Sequence, residues 1–484
     1  MKLTRRLSVL VAACGLVASI LPLTAASVFA GSPCTTTCYV NATTGNDANG
    51  GASPGDALKT IQVAGNRVSA GGTVHVAKGT YAENVVVATA QTIDGAGQGR
   101  TIVIPALSNP NCGGAGGGSL CDGGLVSNVF LVQADNVTIS NLTVDGNNPS
   151  VTSSVTAGGS DIDARNGIID NWPLGVFNGF VVHDVTVKNV FLRGIYASSG
   201  GTFNFRDNTV TNVQADPSSV AIFNFLGSGV IKGNNVSYAN DAISSNWSAG
   251  TQFLNNTITH SGGGVHTDNA GSVAGNTPDL ISGNKVSSCA PGGYGVYSFV
   301  PYLSPTIQNN TISGCTVALA AFGDATTGVT TNFQNNTATG LGAGVAGTVG
   351  AYITSDTLGY GPMPVSASLT GNRISKYETG VQIVETAANL TTATVNRNSI
   401  SGNRTGLTTN AIATIDATCN WWGAANGPSG AGPGSGDTVS PNVTFTPWLR
   451  SPNLNAACPS KGGGGGGGGG HGGGGGGHGR GHDR

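Results

Sequence analysis

Short stretches in which β-branched residues alternate with polar ones, edged by asparagine or glycine, recur through most of the chain. One form reads Asn-Asn-x-[Ile/Val]-[Ser/Thr], as in Asn309-Asn310-Thr311-Ile312-Ser313. A second follows seven to ten residues later: Gly194-Ile195-Tyr196, Asp241-Ala242-Ile243, Gly264-Val265-His266, Gly295-Val296-Tyr297, Gly380-Val381-Gln382 and Gly406-Leu407-Thr408. Both forms predict strands, because period-two alternation of β-branched residues between turn formers suits a pleated, half-buried surface.

The first form recurs at a regular interval. Asn208, Asn234, Asn256, Asn284, Asn310, Asn336, Asn372 and Asn398 each stand two residues before Val210, Val236, Ile258, Val286, Ile312, Ala338, Ile374 and Ile400. Their spacings are 26, 22, 28, 26, 26, 36 and 26 residues, too long for hairpins and too short for domains. A strand-rich repeat of this period cannot bury its apolar face alone, so the chain is expected to coil and let each turn cover the next. Asparagine tolerates the left-handed backbone region, and amides stacked about 4.8 Å apart can hydrogen-bond along the axis, so the asparagine column reads as structural. Extended backwards, the register takes in Asp184-Val185-Thr186-Val187-Lys188 and Asn136-Val137-Thr138-Ile139-Ser140, with Ile139 two periods before Val187.

With these repeats the chain resembles the right-handed parallel β-helix proteins, the pectin-lyase-like superfamily, over residues 39 to 450. Tyr39-Val40-Asn41, Gly45-Asn46-Asp47, Lys59-Thr60-Ile61-Gln62 and Gly79-Thr80-Tyr81 are similar to the opening of many secreted β-helices. Cys419-Asn420-Trp421-Trp422-Gly423 with Gly427-Pro428 is similar to the segment that often closes them. The fold expected is all-β: a right-handed parallel β-helix over 71–450, a cap over 31–70 and a disordered glycine-rich tail over 451–484. Leu58, Ile61 and Val68 suit a short amphipathic capping helix, and Trp421 and Trp422 an apolar lid, since an open coil exposes core side chains at both ends.

Composition narrows the partners. Charged residues make up 9% and net charge is −2, so the basic footprint needed for nucleic acid is missing. Lys2, Arg5 and Arg6 precede an apolar run from Leu7 to Leu23, and Val28-Phe29-Ala30 fits signal-peptide cleavage, which predicts an exported chain starting at Gly31. Val11-Ala12-Ala13-Cys14 also resembles a bacterial lipoprotein box, but the apolar run continues past Cys14, which favours a secreted or cell-surface bacterial protein without that anchor. After signal removal no transmembrane segment is expected. The other eight cysteines form an even set suited to an oxidising compartment. Local pairing predicts Cys34–Cys38, Cys112–Cys121 and Cys419–Cys458. Cys289 and Cys315, each three residues after its own turn's anchor, are expected to stack within disulfide reach. Glycine numbers 79, of which 17 lie in the final 24 residues beside His471, His478 and His482, a composition that cannot fold. No metal, no cofactor and a monomeric state are expected.

Residues i and i+2 of a strand share a face. Taking the residue after each apolar anchor as outward gives Tyr196, Phe223, Ser244, His266, Tyr297 and Ala320; two positions further on come Ser198, Phe225, Asn246, Asp268, Phe299 and Phe322. Trp247 and Tyr302 join from loops. Aromatic faces beside hydrogen-bonding groups suit sugar rings, which makes Tyr196, Phe223, Phe225, Asn246, Trp247, Tyr297 and Phe299 the candidate ligand-binding strip. His266 is the candidate base and Asp268 its orienting partner. A one-residue register shift would bury His266.

The resemblance also permits enzymes, and their motifs can be compared. Polygalacturonase-type hydrolases carry Asn-Thr-Asp, Asp-Asp, Gly-His-Gly and Arg-Ile-Lys; here stand His266-Thr267-Asp268, no Asp-Asp pair, Gly477-His478-Gly479 in the tail, and Arg373-Ile374-Ser375. The paired carboxylates of inverting hydrolysis are therefore missing. A lyase would draw cations from Arg193, Arg206, Lys188 and Lys232, which are scattered in register with no acidic calcium cluster. The sequence thus favours a β-helix that binds an extracellular polysaccharide or cell-surface polymer without catalysis. A polysaccharide-processing enzyme, lyase before hydrolase, and a structural surface protein or adhesin stay as alternatives.

Overall fold

The computed structural model describes residues 32–114, 118–121 and 126–459. The export signal, Cys14 and the chain from Lys461 onward lie outside the described residues. Three long sheets of 15, 12 and 14 strands, paired throughout in parallel, carry the described chain. One coil shows the construction. Phe180–His183 belongs to the first sheet, Thr186–Lys188 to the second and Val190–Ala197 to the third; the chain then returns with Thr202–Arg206, which lies beside Phe180–His183.

Each sheet turns one column of apolar side chains inward. The first contributes Ile139, Val182, Phe205, Ile231 and Phe253 in successive coils, the second Val187, Val210, Val236 and Ile258, and the third Ile195, Ile222, Ile243 and Val265. All are buried. Each is worth about 1.5–3 kcal/mol relative to exposure, and that gain exists only when neighbouring coils are present. The corner between second and third sheets admits little volume: a Cβ on Gly264 would come 2.0 Å from the Gly295 carbonyl oxygen.

The asparagines form a continuous buried ladder. Asn310 Nδ2 donates to Asn336 Oδ1 at 2.9 Å and to Ile281 O at 3.0 Å, while its own Oδ1 accepts from Asn284 N at 2.9 Å and Asn284 Nδ2 at 3.0 Å. The same pattern runs from Asn208 through Asn398 and ends on Asn420. The closing Cys-Asn-Trp-Trp segment therefore supplies one more rung than the spacing indicated. The left-handed backbone belongs to the preceding residue instead of the ladder asparagine: Asp207, Gly233, Asn255, Gly283, Asn309, Asn335, Gly371, Arg397 and Cys419 all have φ between 54° and 75°. The ladder residue is retained for its two-sided amide, and the residue before it makes the turn.

The backward extension of the repeat holds for Val187, which pairs with Val210, but not for Ile139. Ile139 lies in the first sheet beside Val182, and the partner of Val187 is Val144 in Thr143–Asp145. Asn136-Val137-Thr138-Ile139-Ser140 mimics the second-sheet grammar because a left-handed asparagine precedes strands of both sheets, here Asn136 and Asn141. At the start of the coil, helix Ile61–Arg67 buries Ile61 and Ala64, with Thr60 Oγ1 accepting from Val63 N at 3.3 Å. Leu58 and Val68 are buried just outside it. At the far end Trp422 is fully buried. Disulfides join Cys34 to Cys38, Cys112 to Cys121, Cys289 to Cys315 and Cys419 to Cys458.

Candidate functional site

The third sheet carries the chemistry on its outer face. Its pairing sets Tyr196, Phe223, Ser244, His266, Tyr297 and Ala320 in one column, and Phe225, Asn246, Asp268, Phe299 and Phe322 in another. Facing outward does not make these residues accessible. Tyr196 and Phe223 are each 7% exposed, and Phe322 is buried against Tyr294, Tyr297 and Phe299. The strip expected to be open is thus largely self-packed, because adjacent rings one strand spacing apart cover each other. Trp247 remains 40% exposed and leans on Tyr302, ring centres 5.8 Å apart; Asn246 accepts from Asn269 Nδ2 at 3.3 Å.

His266 is only 4% exposed. Its Nδ1 is 3.3 Å from Asp241 Oδ1, its Nε2 is 2.8 Å from Ser244 Oγ and 3.6 Å from Asp268 Oδ1, and its ring stacks on Tyr297 with centres 4.4 Å apart. Asp241 reaches this position by leaning over Gly263, where a Cβ would come 2.1 Å from its Oδ1. Burial alone would depress the histidine pKa, but the Asp241 and Asp268 carboxylates outweigh it and raise it to about 9. For Asp268 burial dominates, opposed by His266, and its pKa rises to about 6. This environment weighs against the expected role of base, because two neighbouring carboxylates favour the protonated imidazole, which has no lone pair to offer a substrate. Asp268 does lie beside it, as one of two counter-ions.

A groove of about 960 Å³ opens earlier in the coil on the same face. Tyr196 and Arg193 line its floor, and Phe223 backs them, its ring centre 4.6 Å from that of Tyr196; the Arg193 guanidinium is 5.7 Å and 4.9 Å from the Tyr196 and Phe223 ring centres. Phe225 and Leu226 continue the lining on the following coil. One wall is built by Arg165, which donates from Nε to Ser119 O at 2.9 Å, from Nη1 to Pro110 O at 2.8 Å and from Nη2 to Gly118 O at 3.2 Å. The other is the segment from Trp172 to Val176, in which Trp172 is 54% exposed. Asp170 holds that wall. Its buried carboxylate accepts from Ser198 and Ser199, and Ser199 Oγ in turn accepts from Phe177 N at 3.0 Å. Burial pushes the Asp170 pKa up despite these bonds.

Of the candidate strip, Tyr196 and Phe225 therefore line the groove, with Phe223 packed behind Tyr196 and Arg193. Asn246 lies one coil beyond Phe225, and Tyr297 is three coils beyond Phe223. Trp172, Arg165 and Asp170 were missed. An available signal was Trp172-Pro173-Leu174-Gly175-Val176, an apolar break in the strand grammar. Among the other candidate cations, Lys188 pairs with Asp145 at 2.9 Å on the second sheet, and Arg206 lies beside Lys232 on the first. Among the described residues no group of three His, Cys, Asp or Glu is placed to hold a metal.

A family described as right handed beta helix region matches residues 193–358. No curated protein matches the sequence. Among solved structures, the A-module of mannuronan C-5 epimerase AlgE4 of Azotobacter vinelandii is 18% identical, covering 71% of this chain and 90% of its own, with a TM-score of 0.50. The AlgE6 A-module of the same organism is 16% identical over 78% and 91%, TM-score 0.48; the Streptococcus pneumoniae surface protein and adhesin PfbA is 13% identical over 76% and 91%, TM-score 0.46. At these identities the likeness speaks to the fold, and together with the three parallel sheets and the matched region it leads to one conclusion: the chain is a right-handed parallel β-helix protein.

Proposed function

We propose that this protein binds an extracellular polysaccharide in the groove above Tyr196 and Arg193 and does not cleave it. The observation that carries the reading is the groove itself: about 960 Å³, with an aromatic–arginine floor and an exposed Trp172 on its rim. A sugar ring stacks its apolar face on such a tryptophan while Ser198, Ser199, Ser218 and Asp216, all in the lining, meet its hydroxyls. The described lining offers a single carboxylate, Asp216, where glycoside hydrolysis needs two. His266, the other candidate for acid–base work, has its pKa raised by Asp241 and Asp268 and is almost closed to solvent. The four disulfides suit an oxidising, extracellular setting. Among the described residues no helix is long and apolar enough to cross a membrane.

Affinity electrophoresis through gels containing neutral and acidic polysaccharides tests the reading. At least one polymer is expected to retard the wild type, and Trp172→Ala is expected to weaken that retention about tenfold, in line with roughly 1–3 kcal/mol for a stacked ring. Retention by no polymer, or an unchanged Trp172→Ala, contradicts it. New reducing ends or ultraviolet-absorbing unsaturated ends in the polymer would replace the binding reading with an enzymatic one.

A further inference from the structure

We infer that Arg193 recognises an acidic substituent, a carboxylate or a sulfate, on the glycan held in this groove; the inference rests on the binding reading above. Arg193 is partly buried at the groove floor. Its Nη1 donates to Ser218 O and, at 3.4 Å, to Leu192 O, but its Nε is buried with no hydrogen-bond partner. It forms no ion pair with a described carboxylate. A guanidinium withdrawn from water is ordinarily compensated by an anion in contact, and the described carboxylates that act on Arg193, Asp241 and Asp216, do so only through space.

The surroundings show why. Asp216, the carboxylate in the lining, turns its Oδ1 to Ser218 N at 2.8 Å and makes no contact pair with Arg193. Asp170 lies behind Ser198 and Ser199, which take up its oxygens, and Asp241 is engaged with His266 two coils on. The nearest other cation, Arg165, spends its donors on the carbonyls of the groove wall. The Arg193 plane is supported by Phe223 and Tyr196, and stacking of that kind engages the face of a guanidinium while leaving its Nη end to donate in the plane. Such a fork matches a carboxylate or sulfate in two-point fashion, and a hydroxyl poorly. The absence of a carboxylate in contact with the guanidinium follows if the ligand brings the charge.

The test uses the full chain and three matched polymer pairs: polygalacturonate and its methyl ester, carboxymethyl and hydroxyethyl cellulose, and a sulfated galactan and its desulfated form. Within at least one pair the acidic member is expected to bind about tenfold tighter or more, and the pair identifies the group as carboxylate or sulfate. Arg193→Met is expected to remove that preference while leaving the neutral member's weaker binding, and Arg193→Lys to restore part of it with steeper salt sensitivity. If neutral members bind as tightly as acidic ones, or a folded Arg193→Met keeps the preference, the inference falls and the groove reading stands. If no polymer of either kind binds the wild type, both fall. The wild-type comparison decides the matter even where Arg193→Met does not fold.

Discussion

Asn310→Ala is expected to lower the unfolding free energy by about 3 kcal/mol or more, because several buried polar groups lose a partner at once. Asn284 N–H and one proton of its amide lose Asn310 Oδ1, and Ile281 O loses Asn310 Nδ2. All three groups lie at a corner that solvent does not reach. Asn310→Asp is expected to be at least as damaging, since a carboxylate accepts but cannot donate and would be charged in the interior. Denaturant unfolding followed by circular dichroism measures both, with the exposed neighbour Thr311→Ala as a control expected to change little. A loss below about 1 kcal/mol for Asn310→Ala would mean that the ladder merely accompanies the turn.

His266→Ala is the second large effect, and it has a pH signature. Removing the imidazolium leaves Asp241 and Asp268 facing each other with little solvent, and breaking a buried ion pair of this kind costs about 3 kcal/mol near neutral pH. The sign of the pH dependence follows from linkage. Because the folded His266 pKa, about 9, lies above the ordinary value, the folded state holds the extra proton and its stabilisation is complete below about pH 6.5. That stabilisation is lost as pH rises through 9. Asp268, raised to about 6, likewise makes the folded state the better proton binder between its ordinary range and pH 6, so stability also declines with rising pH there. Wild-type melting temperature is therefore expected to fall between pH 6.5 and 9, and the His266→Ala profile to lose the part of that fall centred near pH 9. Parallel profiles would show that His266 is not held as an imidazolium.

What was legible in the sequence was whatever repeats. Val210, Val236, Ile258, Val286 and Ile312 stack as their spacing required, because period-two alternation and the asparagine turn set the register of every coil. The outward columns follow from the same alternation. Accessibility does not, since it depends on what neighbouring rings and loops cover: Tyr196 and His266 face outward and are nonetheless closed off, Tyr196 by Arg193 and Phe223, His266 by Tyr297 and its two carboxylates. The misplacement of Ile139 has a related cause. The two residues Asn141 and Leu142 separate its strand, Thr138–Ser140, from the strand Thr143–Asp145, and nothing in a five-residue grammar distinguishes a first-sheet strand from a second-sheet one.

The groove was the least legible part because non-repeating segments build it. Trp172 to Val176 and the chain around Pro110 and Ser119 are insertions between strands, joined to the coil by Asp170 and Arg165. An insertion has no period to extrapolate, and which carbonyls satisfy an arginine becomes known only when the chain has closed on itself. Arg193 was visible as one scattered cation among several. Its lack of a counter-ion was not.

The most direct test of the account is backbone hydrogen–deuterium exchange of the full chain with and without a polymer that retards it. Protection is predicted in residues 190–199 and 218–226 and at Trp172 to Val176, with the ligand's chain length unchanged after incubation. Protection confined to other coils, or a shortened polymer, would contradict it.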